Sequence, residues 1–175
     1  MSVDSGVAQL LAVRMGGEEI KQLSRTLPAI QLFDCLNDAD DRVVRNAAWA
    51  LTHKPLSDIR MLPQNDLIDL ALSTPNDALR RLTLNLLEKQ EMREEDLRTD
   101  FLDFCLHHAV MIDEHPGIQM LCLKLAHRMC QFYPELQHEF AETLSMVQIE
   151  CYNPGMRSQF KKIMKDIYPL PVTNS

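Results

Sequence analysis

Cys105, His107, His108, Asp113 and His115 fall within one short stretch of the chain, the grouping that most suggests a metal site. A tetrahedral metal site needs ligands that converge. Adjacent histidines on a helix point about 100° apart, and no HxxxH or HxxH pair sets two imidazoles on one face. His115 precedes Pro116 in a turn sequence, where a polar residue is ordinary. His127 lies five residues after Cys122, off its helix face, and three before Cys130, a lone pairing with no third group to orient it as a nucleophile and its base would require. The acidic residues of the first helices are mostly isolated on polar faces, so no paired-carboxylate site is expected. Gly16-Gly17 lacks the GK[ST] that would make a phosphate loop. The expectation is a protein that is not an enzyme, with no metal and no cofactor.

The five cysteines, Cys35, Cys105, Cys122, Cys130 and Cys151, are odd in number and never spaced as CxxC. They sit in apolar stretches such as FDCL and MLCLKL, which reads as reduced thiols in a cytoplasmic protein. The N-terminal sequence MSVDSGVAQLLAVR has no basic leader region, and its apolar run is broken by Gln9 and Arg14. No apolar run approaches the roughly 18 residues of a membrane span.

The elements that would position these residues are helical. One apolar pattern returns four times, as DDRVVRNAAWAL (40–51), PNDALRRLTLNLL (75–87), EHPGIQMLCLKLA (114–126) and YNPGMRSQFKKIM (152–164). The matched sets are Val44, Ala47, Ala48, Leu51; Leu79, Leu82, Thr83, Leu86; Ile118, Leu121, Cys122, Leu125; and Met156, Gln159, Phe160, Ile163. Each has the i, i+3, i+4, i+7 spacing of one helix face. The intervals of 35, 39 and 38 residues are those of stacked helix pairs. A further helix is expected before each repeated one, opening at Leu27-Pro28, Leu62-Pro63, Leu97 and Tyr133-Pro134. Turn and capping residues at 37–40, 73–76, 113–117 and 153–155 separate the members of each pair. The third repeat is four residues longer than the second, close to one helical turn, which predicts a lengthened first helix. Residues 5–15 read as a lone second helix capping the N-terminus, 5–171 as one domain, and 172–175 as a frayed tail.

The segment 40–51 resembles the second helix of HEAT and armadillo repeats, in which a turn Asp is followed by Val-Arg and small apolar residues. The matching residues are Asp40 or Asp41, Val44, Arg45, Ala47, Ala48 and Leu51. Arg80 and Arg157 recur at the arginine position, Gln119 departs from it, and Gln159 departs from an apolar one. The resemblance covers roughly 27–164. It implies a right-handed α-solenoid of about four helix pairs with an N-terminal half-repeat cap, and the work of an adaptor that holds other macromolecules.

Net charge is −7, but the two sets of helices carry opposite signs. First helices and their turns carry −4 (27–41), −3 (62–77), −6 (94–114) and −4 (134–150). Second helices carry +3 (42–54), +2 (78–90), +2 (115–133) and +3 (151–175). A helical wheel places Arg42, Asn46, Trp49 and His53 opposite the core set of the first repeat, with Arg81, Leu84, Glu88; Met120, Leu123, His127; and Ser158, Lys161, Lys165 equivalent or nearby in the later ones. Trp49, Leu84 and Leu123 share one repeat position. As a row rimmed by bases they would line a groove for a protein or peptide. The same positions would instead be buried if neighbouring second helices pack flank to flank. The expected binding residues are Arg42, Asn46, Trp49, Arg81, Leu84, Met120, Leu123, His127, Lys161 and Lys165, in a monomer or homodimer with no membrane contact. The alternative reading is nucleic-acid binding on the same basic face, as in the DNA-repair glycosylases of this fold.

Overall fold

A computed structural model describes residues 5–169, in which there is helix and connecting chain and no strand. The tail expected to fray, 172–175, lies outside the described residues. The chain divides between Glu91 and Met92 into two compact units.

In the first unit the helices are α1 (Ser5–Leu11), α2 (Gly17–Thr26), α3 (Ala29–Asp34, running on as a 3-10 turn), α4 (Asp41–Thr52), α5 (Leu56–Arg60), α6 (Gln64–Ser73) and α7 (Asp77–Lys89). In the second they are α8 (Thr99–Val110), α9 (Pro116–Cys130), α10 (Pro134–Met146) and α11 (Pro154–Ile167). The pairs α3–α4, α6–α7, α8–α9 and α10–α11 pack together, so the four expected helix pairs are present.

Second helices also pack on second helices, α4 on α7 in the first unit and α9 against α11 in the second. The repeated apolar faces explain both contacts. Val44, Ala47, Ala48, Leu51, Leu79, Leu82, Thr83 and Leu86 are all buried, as are Ile118, Cys122, Leu125, Met156, Phe160 and Ile163. Leu121 and Gln159 are half-buried. Ala47 and Ala48 let backbones approach closely, and the buried Thr83 hydroxyl donates to the Leu79 carbonyl at 2.9 Å.

Each second helix opens on a side-chain cap. Asp40 accepts from the Arg42 amide at 2.8 Å, Asn76 from Leu79 at 3.1 Å, His115 Nδ1 from Gly117 at 3.1 Å and Asn153 from Met156 at 3.0 Å. These bonds satisfy amides that have no partner inside the helix. Proline occupies the first position of α9, α10 and α11, where no amide is needed.

Two expectations need correction. The N-terminal cap is two helices, α1 and α2, both packed on α4; α1 stops at Leu11, and α2 starts afresh at Gly17 with the Gly16 amide donating to Glu19 at 2.6 Å. The four extra residues of the third pair do not all lengthen its first helix. Helix α8 has 12 residues against 10 in α6, and the other two extend the turn before α9.

Candidate interaction surface

The residues grouped between Cys105 and His115 are drawn into separate structural work. His108 Nδ1 hydrogen-bonds the Glu114 carboxylate. His115 caps α9, while His107 is exposed on α8. The Cys105 thiol is buried against Cys122, and burial pushes its pKa well above the ordinary thiol value. No cluster of three or more His, Cys, Asp or Glu able to hold a metal ion occurs among the described residues. Burial also pushes the Cys130 thiol up to about 11, so at neutral pH it is protonated and a poor nucleophile. Burial depresses the pKa of His127, whose half-buried ring stacks on Phe140 with centroids 6.4 Å apart. Its surroundings are those of a packed imidazole.

Second-helix positions on the wheel meet different fates. Arg42, Arg81, Lys161 and Lys165 are exposed, and Trp49, Met120 and His127 are half-buried. Asn46, Leu84 and Leu123 are fully enclosed, so they cannot line an open groove as expected. For Asn46 the cause is explicit. Its amide nitrogen donates to the Leu11 carbonyl at 2.9 Å and to that of Val13 at 3.0 Å, holding the end of α1 on α4. Arg42 reaches the same turn, donating to the Ala12 carbonyl at 3.3 Å. The Trp49 indole edge lies beside the start of α2, where a Cβ on Gly17 would come within 3.9 Å of Cζ2. The Trp49–Leu84–Leu123 position is therefore mainly a packing flank, and only at Trp49 does a large apolar side chain remain partly accessible.

Arg42 and Arg45 on α4 and His53 just past its end are exposed around the half-buried Trp49, spaced three and four residues apart on one stripe that Asp41, also exposed, adjoins. Burial, then the charges of Lys21 and Lys89, lower the His53 pKa against the opposing charge of Glu18. On α11 Ser158, Lys161, Lys162 and Lys165 are exposed, with the half-buried Lys124, His127 and Arg128 on α9. Arg45, Lys124, Arg128 and Lys162 belong to these basic stripes and were absent from the expected set. Their signal was the second-helix charge count, which a wheel restricted to positions directly opposite the core passes over.

The repeated arginine position has a definite structural role. Arg80 Nε donates to the Ala71 carbonyl at 3.1 Å, its guanidinium also bonds the Thr74 carbonyl, and it pairs with Asp77 at 3.0 Å. It ties the C-terminus of α6 to α7. Gln119, the departure in the third pair, donates from Nε2 to the Met111 carbonyl at 2.7 Å and does the same for α8. Arg157 is half-buried, with Nε enclosed and unpaired, and Arg45 is exposed.

No curated protein matches this chain. A family model described as a HEAT repeat domain matches residues 8–167, nearly all of the described structure. Helix pairs at this period, each second helix capped at the same point, together with that match, place the chain in the HEAT repeat family.

Proposed function

We propose that this protein is a non-enzymatic adaptor that holds a protein or peptide partner on the exposed stripes of its second helices. Membership of the HEAT repeat family supports an interaction scaffold, and the stripe on α4 carries the finer reading. There a half-buried tryptophan is flanked by exposed bases, the combination of aromatic anchor and charged rim that dominates many interfaces. Arg81 on α7 and Met120, His127, Lys161 and Lys165 in the second unit supply the same mixture of apolar and basic contacts. Cys105, Cys130, His108 and His115 are occupied in packing, hydrogen bonding and capping, which fits a binding role.

Affinity capture from native lysate, with and without nuclease, tests this reading. A partner retained after nuclease treatment, and lost with Trp49→Ala or with Arg81, Lys161 and Lys165 reversed to Glu, supports it. Sub-micromolar binding of DNA or RNA at physiological salt, steeply salt-dependent and abolished by the same charge reversals, would overturn it in favour of a nucleic-acid-binding protein, since each neutralised phosphate releases counterions.

A further inference from the structure

In the first unit the second helices α4 and α7 pack closely, whereas the first helices α3 and α6 do not. Between α3 and α6 lies a cavity of about 260 Å³ lined by Phe33, Leu36, Asn37, Asp66, Asp69, Leu70 and Ser73. Phe33 and Leu36 are buried and Leu70 half-buried, so they form an apolar floor. Asp66 and Asp69, one helical turn apart on α6, bring two carboxylates to its rim. The charged residues of α3 and α6 have a single sign: Asp34, Asp66 and Asp69, with no lysine or arginine.

From this groove we infer a second docking site, on the face opposite the basic stripes in charge, for a lysine-bearing basic segment of a protein partner. The two halves of a lysine side chain match the two halves of the cavity. Its four-carbon stem lies on Phe33, Leu36 and Leu70, and its ammonium sits between Asp66 and Asp69. Flanking bases of the same segment gain from the aspartates of both first helices, an attraction that salt screens. A protein using both surfaces would join an acid-seeking partner segment to one bound by its basic stripes, as a scaffold does. The groove does not depend on the second-helix reading, and its test uses different residues.

The probe is a fluorescein-labelled hexalysine peptide, titrated at low ionic strength into the full-length protein. Backbone amide shifts of the unmodified protein should move in 33–37 and 66–73. Asp66→Asn with Asp69→Asn should weaken binding about fivefold, the scale of two partly exposed charge pairs. Glu139→Gln with Glu150→Gln removes the same charge from exposed sites of the second unit and should change binding less than twofold. Equal weakening by the two double variants, shifts confined to other segments, or no saturable binding would each overturn the site. Asp69→Asn alone repeats the comparison should the double variant fail to fold.

Discussion

Arg80 in the first unit and Gln119 in the second stand at one position of the repeat, 39 residues apart, and differ in charge, length and number of donors. Arg80 spans two carbonyls and an aspartate across the turn from α6 to α7. Gln119 makes a single 2.7 Å bond to the last turn of its partner helix. What the two share is the need they meet: the final carbonyls of a first helix have no intrahelical donor, and packing restricts water from reaching them. In these two pairs the position is held by a donor that reaches backwards, and residue identity sets how many carbonyls it serves. A departure from the family pattern is here a change in strength with the role kept.

That comparison can be broken by measurement, beginning where most is at stake. Arg80→Leu strands the Ala71 and Thr74 carbonyls and should cost about 3 kcal/mol of stability in urea unfolding, since a buried group left unpaired forfeits more than one ordinary hydrogen bond. Arg80→Gln, which copies the second unit's solution, should recover about half of that loss by serving one carbonyl. A cost for Arg80→Leu within the roughly 0.5 kcal/mol of an ordinary surface change would end the comparison.

Asn46→Ala should cost about 2 kcal/mol and raise amide exchange across α1, because both Asn46 bonds to the Leu11–Val13 turn are lost. If α1 exchanges no faster in the variant, its anchor lies elsewhere. Gln119→Leu removes one bond and should cost about 1 kcal/mol, clearly less than Arg80→Leu. An equal or larger loss would mean the second unit leans on this contact as heavily as the first.

The smallest effect is a pH slope. His127 in the second unit and His53 in the first both have pKa values lowered chiefly by burial. Their folded states bind a proton less readily than the unfolded chain, so each contribution is complete above the ordinary histidine pKa. It is lost as pH falls through that value towards the lowered one. Comparing parent with His127→Gln in urea titrations from pH 7.5 to 5 should show the variant with the flatter profile. Parallel profiles would remove His127 from this account.

The period, the apolar face of each second helix and three of its four caps were legible because they depend on neighbours within a turn or two. Val44, Ala47, Ala48 and Leu51 are buried as a set, and Asp40, Asn76 and Asn153 cap where turn residues precede an apolar run. The short helices α2 and α5 were not legible. They lie just ahead of Leu27-Pro28 and Leu62-Pro63, outside the repeated apolar pattern. Nor was the divided insertion in the third pair, because a four-residue excess has the same length whether helix or turn takes it.

Sequence by itself determined that the chain is an all-α repeat of helix pairs, and which face of each second helix turns inward. Only the tertiary structure decided what covers the other faces. Trp49, Leu84, Leu123 and Lys161 stand at the same angle on four successive second helices, yet the first is half-buried, the next two enclosed and the last exposed. A helical wheel fixes a side chain's direction about its own axis. Its exposure depends on the neighbour packed alongside, and for α4 that includes α1 and α2, elements with no counterpart in the repeated pattern.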